Sequence, residues 1–151
     1  MTKKKSQKTE WPTTNERKYN GGEWTEARFH GFVTSALRAA SRRWPQKYEC
    51  LADAFSGKKT NVHTGREAKH YKCAQCHNEF TTTNIQVDHK QPIINPRVGF
   101  EGWDVYIDRL YCEKDNLQIL CKPCHAIKTK QERETAKQWK SPPATKAKKV
   151  K

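Results

Sequence analysis

The stretch "NLQILCKPCHAIKT", residues 116–129, decides the fold. Its opening, "NLQILC", reads as a short strand. The residues from Lys122 onward, "KPCHAIKTKQERETAKQW", read as a helix rich in charge. A cysteine pair, Cys121 and Cys124, joins the two. The same C-x-x-C spacing occurs earlier in "KCAQCHNEF", as Cys73 and Cys76. Each pair is followed by a histidine, His125 or His77, so each could be taken as a c-type haem attachment site. Haem attachment needs an oxidising compartment, and the basic start "MTKKKSQKTEW" has no apolar region behind it. The initiator is also the chain's single methionine, which leaves no internal methionine as an axial ligand. The expectation is therefore no haem.

Two C-x-x-C turns can place four thiolates around one ion and complete a tetrahedral Zn²⁺ site. The 44 residues between Cys76 and Cys121 form a long gap. Loop-closure cost grows only logarithmically with length, so the gap is expected to be a folded insertion pinned at its base by the metal. The remaining cysteines, Cys50 and Cys112, stand among apolar residues and are expected in the core. His77 is expected to be a polar surface residue.

Of 151 residues, 34% are hydrophobic and 30% charged, so a large core is not expected and a structural metal would help hold a small one. The net charge of +14 is unevenly spread. Residues 1–22 carry six basic and two acidic side chains, and residues 140–151 carry five and none. Residues 60–139, with the Cys/His motifs, carry twelve and ten. A basic periphery around a nearly neutral, chemically rich centre suits a polyanion. No apolar run reaches the ~18 residues that span a membrane, so no membrane association is expected. The expected location is cytoplasmic, where thiols stay reduced and paired cysteines indicate metal.

The expected organisation has four parts. Residues 1–22 are a flexible basic arm. Residues 23–69 are a helical segment and polar connector. Residues 70–140 are the zinc-stabilised domain, and residues 141–151 a disordered basic tail. In the helical segment, Phe29, Phe32, Val33, Ala36, Leu37, Ala40 and Trp44 recur with a helical period. Thr25 is the expected N-cap and Pro45 marks a break. Arg28, Arg38, Arg42 and Arg43 share the other face, where they could contact phosphates. A second short helix is expected over Gln46 to Phe55. "NIQVDHKQPI" begins as a strand, with Asp88 and His89 pointing to opposite faces. Trp103, Tyr106, Ile107 and Leu110 have the spacing of an amphipathic helix.

Asp88-His89, Asn116 and His125 then fall in order on a strand, a return strand and a helix. "VDHKQPI", "DNLQILCKPCH" and the following "KT" resemble the HNH endonuclease family over roughly residues 70–132. Size and basic tails are similar to small phage-encoded, homing-type members. The resemblance implies an α+β fold: a small ββα-metal (His-Me finger) core closed by a four-cysteine structural zinc and preceded by the helical segment. It implies hydrolysis of DNA, in double-stranded form, by a monomer or weak dimer. His89 matches the general base, Asp88 and His125 the ligands of a catalytic divalent ion, and Asn116 the residue that holds the loop and orients the base. Lys128 and Thr129 match candidates for phosphate contact. The physical logic agrees: an imidazole can deprotonate water, and a divalent ion can offset charge on phosphate. Carboxylate with imidazole admits Mg²⁺, Mn²⁺ or another divalent ion. Because Asp88 and His89 diverge on a regular strand, a bulge or strand end is expected there. The alternative is a zinc-stabilised nucleic-acid-binding module without catalysis.

Overall fold

The computed structural model describes residues 15–140. Residues 1–14 of the expected arm and the whole expected tail lie outside the described residues. Among the described residues the fold is mixed α+β, with four helices and small antiparallel sheets. None of these helices is long and apolar enough to cross a membrane.

The chain enters through a two-stranded hairpin, β1 (Arg17–Tyr19) and β2 (Trp24–Thr25). The expected flexible arm is therefore ordered at Arg17–Tyr19. Tyr19 stacks on Phe29 at 4.1 Å between ring centroids, which ties the hairpin to the next helix. That helix, α1 (Glu26–Ser41), is capped as the sequence suggests: the Thr25 hydroxyl accepts a hydrogen bond from the Arg28 amide. Helix α2 (Pro45–Asp53) starts with Pro45 at its first turn, where the missing N–H costs nothing.

The apolar stripe expected on α1 is buried along only one edge. His30 and Ser41 are the buried positions, while Phe32 is 60% exposed and Ala36 and Ala40 are exposed. The docking partner decides this rotation. Helix α3 (Trp103–Leu110) and Phe100 present an aromatic shelf, and His30 lies 4.9 Å from Trp103 and 5.7 Å from Phe100 between ring centroids. Polar clamps fix the same contact: Tyr111 Oη donates to the Leu37 carbonyl at 2.8 Å, and Arg38 Nε to Tyr106 Oη at 3.1 Å. Trp103, Tyr106 and Leu110 face inward as their spacing requires, whereas Ile107 is exposed.

The expected polar connector after α2 is instead a β-hairpin. Strands β3 (Phe55–Thr60) and β4 (Glu67–Lys72) pair antiparallel, and β5 (Glu79–Thr81) adds to β4. Lys and Thr alternate too weakly with apolar residues here to signal a strand. Cross-strand hydrogen bonding and the rooting of Tyr71 in the core supply what the pattern lacks.

The third sheet pairs β6 (Ile85–His89) with β7 (Leu117–Cys121), antiparallel and in unbroken register from Ile85 opposite Cys121 to His89 opposite Leu117. Loop 90–102 and α3 are inserted between these strands. Helix α4 (Lys122–Lys140) follows β7 directly. Ile85, Leu117 and Ile119 meet Cys50 and Tyr71 in one small core, with Val87, Leu51 and Cys112 packed around it. Burial pushes the Cys50 thiol up, as suits a core residue. Burying Leu117 or Ile119 contributes about 2 kcal/mol each. Among the described residues, eleven buried apolar side chains are split among three clusters, so the core is thin.

Candidate metal and catalytic site

Cys73, Cys76, Cys121 and Cys124 converge, with all four sulfurs within 4.8 Å of one another. The geometry fits a tetrahedral ion. Zinc–sulfur bonds of about 2.3 Å put neighbouring sulfurs roughly 3.8 Å apart, and Cys76 Sγ lies 3.9 Å from Cys121 Sγ. These four cysteines could hold a metal ion such as zinc.

The local fold prepares the site. Strand β4 runs straight into Cys73, and the turn closes with Cys73 N–H donating to the Asn78 carbonyl and His77 N–H to the Cys73 carbonyl. His77 adopts φ 62°, the left-handed conformation such a turn demands. Its side chain is exposed, as expected of a polar surface residue. Ala74 N–H reaches the Ile119 carbonyl at 2.8 Å, locking this turn to β7. Burial opposes a Cys73 thiolate, yet the backbone N–H groups of Cys76, Cys121 and Gln75 outweigh it and draw Cys73 down to about 6. Cys124 is pushed up to about 12, chiefly by its hydrogen bond with Cys121. Four thiolates cannot share this space by themselves; a dication resolves the conflict.

The second cluster lies on the β6–β7 ribbon and the first turns of α4. Asp88 faces α4, its side chain only 11% exposed. His125 Nε2 is 3.7 Å from Asp88 Oδ1. Lys128 Nζ is 3.0 Å from Asp88 Oδ2, and Gln118, opposite Asp88 across the ribbon, donates to the same oxygen at 2.9 Å. Lys128 Nζ also donates to the His89 carbonyl and to Glu132 Oε1, both at 2.7 Å. Burial works against its charge, but Glu132 and Asp88 hold its pKa above the ordinary value. Lys128, expected at a phosphate, is therefore turned inward on Asp88. Thr129 sits half-buried on the same side of α4 and makes no side-chain hydrogen bond among the described residues.

His89 points the other way. The register shows no bulge at Asp88-His89, so the two side chains diverge as strand alternation dictates. His89 ends the strand. Its Nε2 lies 3.2 Å from the Leu110 carbonyl, an acceptor, so the proton resides on Nε2 and the lone pair on Nδ1. Burial, with Lys47 adding to the effect, lowers the His89 pKa and favours the neutral ring. Asn116 Oδ1 accepts from Gln91 N–H at 3.0 Å, and its carbonyl accepts from Lys90 N–H at 2.8 Å. Asn116 thereby clamps the chain just beyond His89.

Arg28 and Arg38 of α1, and Arg42 and Arg43 just beyond its end, are exposed. Arg28 lies 4.8 Å over the Trp24 ring, Arg38 is engaged with Tyr106, and Arg42 and Arg43 make no side-chain hydrogen bond or ion pair among the described residues. Gln118, Glu132 and Lys47 were not singled out from the sequence. Gln118 was accessible in principle, because an antiparallel register places it opposite Asp88; the other two depend on helix docking.

No family model, curated protein or solved structure matches this chain.

Proposed function

We propose that this protein is a metal-dependent DNA endonuclease of the HNH type, with β6, β7 and α4 as its ββα-metal core and zinc in the four-cysteine site. The observation that carries the reading is the approach of Asp88 and His125 to 3.7 Å from separate elements, beside a histidine whose Nδ1 is free to accept a proton. A six-coordinate ion with bonds of about 2.1 Å needs neighbouring donors roughly 3 Å apart. At 3.7 Å from each other, Asp88 and His125 are the residues that would hold it. Such an ion, Mg²⁺ or Mn²⁺, would offset charge on the scissile phosphate and the leaving 3′ oxygen.

The chain's own residues supply the rest. His89 Nδ1 takes a proton from water while Nε2 stays anchored on Leu110. Asn116 and Lys128 hold the backbone of residues 89–91, which fixes the base in place. The basic excess supplies affinity for duplex DNA.

The test is plasmid cleavage with Mg²⁺ or Mn²⁺, with and without EDTA, by wild type and His89→Ala. Nicking or cutting by wild type, abolished by EDTA and by the substitution, is the expected result. Intact plasmid with every ion, from protein that binds DNA and retains zinc, would leave the non-catalytic binding module instead.

A further inference from the structure

The β3–β4 hairpin carries a pattern that folding does not account for. Residues 57–72 hold five basic side chains, Lys58, Lys59, Arg66, Lys69 and Lys72, against one acid, Glu67, and all six are exposed. The concentration straddles residue 60: Lys58 and Lys59 precede the near-neutral stretch 60–139, and Arg66, Lys69 and Lys72 lie inside it. Lys58 and Lys69 are direct cross-strand partners. Side chains so placed have Cβ atoms about 5 Å apart, and like charges there weaken a hairpin. Lys59 is paired with Glu79. Lys58, Arg66, Lys69 and Lys72 make no side-chain hydrogen bond or ion pair among the described residues.

The hairpin's shape is equally specific. A register shift between Phe55 and Gly57, with Gly57 at φ 123°, bends its base. At the tip, Asn61 N–H donates to the Arg66 carbonyl at 2.8 Å, and Val62 stands 90% exposed. At the root, Tyr71 is buried with Ile85, Leu117 and Ile119, and the next residue but one is Cys73. The hairpin is therefore braced on the same ribbon that carries Asp88 and His89. The major groove of B-DNA, about 12 Å wide, admits a two-stranded β-ribbon.

We infer that the β3–β4 hairpin is a duplex-DNA grip, with Lys58 and Lys69 neutralising backbone phosphates and the Val62 tip lying against the groove. It shares the DNA substrate with the nuclease reading but none of its chemistry. The partner follows from charge: unpaired like charges facing each other find their counterions on a polyanion of matching width.

The experiment is fluorescence anisotropy of a labelled 25-bp duplex with the full chain in its zinc form, without added divalent ion, over a salt series. In Lys58→Ala/Lys69→Ala the slope of log K against log salt should become shallower by about 1.8, two phosphate contacts' worth. Affinity at low salt should fall at least tenfold. Glu67→Lys, which adds a charge without removing a contact, should tighten binding. Unchanged slopes in both variants, or tighter binding of an RNA hairpin than of the duplex, would overturn the assignment. Duplex binding that responds to these substitutions without plasmid cleavage would sink the nuclease reading alone. Cleavage with unaltered slopes would sink the hairpin alone.

Discussion

Cys73, Cys76, Cys121 and Cys124 gather four sulfurs within 4.8 Å, drawn from the turn after β4 and the β7–α4 junction, which the Ala74–Ile119 backbone hydrogen bond ties together. Asp88 and His125 bring only two donors together, and Lys128 and Gln118 also occupy the carboxylate. The first cluster can saturate an ion with protein ligands and leave no vacancy. In the proposed nuclease, an ion on the second would keep most coordination positions for solvent or substrate. A closed site stabilises a fold; an open one can do chemistry. The two sit at opposite ends of one ribbon: Cys121 closes β7 opposite Ile85, and Leu117 begins it opposite His89.

Breaking the closed site should have the largest effect. Cys121→Ala removes a ligand and a buried core side chain, and structural zinc is worth about 10 kcal/mol or more to small domains. Loss of bound zinc and of cooperative thermal unfolding is expected, read by metal analysis and circular dichroism. A variant that keeps both would show the cysteines to be dispensable.

Breaking the open site should spare the fold. His89→Ala is expected to reduce plasmid cleavage by roughly 10²–10⁴-fold with zinc content and melting temperature close to wild type. Asp88→Ala should reduce cleavage likewise, with a stability loss of about 1–3 kcal/mol because Lys128 and Gln118 lose their shared acceptor. If it also released zinc, the two clusters would not be independent.

A more modest effect is expected at Lys128. Lys128→Met leaves the half-buried Asp88 and the His89 carbonyl with fewer partners, which costs about 1–3 kcal/mol. Saturating Mg²⁺ should recover part of the lost melting temperature, because an ion on Asp88 replaces the missing ammonium. Equal losses with and without Mg²⁺ would deny that Lys128 and the ion share the carboxylate.

The smallest signature is in pH. A lowered His89 pKa means that the base form persists in mild acid. The rate should therefore fall only as pH drops through a value below the ordinary imidazole value of 6.5. An acid limb centred above 6.5 would point to a different base.

The elements around these two sites were legible in the sequence because their signals are local. Thr25 caps α1, Pro45 starts α2, and the strand–cysteine pair–helix order of "NLQILCKPCHAIKT" is the observed β7–α4 order. Cys50 and Cys112 pack in the core as their apolar neighbours suggested. Two readings needed the whole molecule. The β3–β4 hairpin has polar strands stabilised by hydrogen bonds to one another and by Tyr71, so hydrophobic periodicity is weak there. The buried edge of α1 runs through His30 and Ser41 because Phe100 and Trp103 lie against it.

By itself the sequence determined the cysteine pairing, the order of Asp88, His89, Asn116 and His125, and the elements that carry them. Ligand spacing, capping and helical period act over a few residues and are written in the chain. The tertiary structure alone decided that Lys128 turns onto Asp88, that His89 anchors on the Leu110 carbonyl, and that five basic side chains share one hairpin. Each of these depends on segments distant in sequence meeting at a particular angle, and the packing of the helices and the register of the ribbons set that angle.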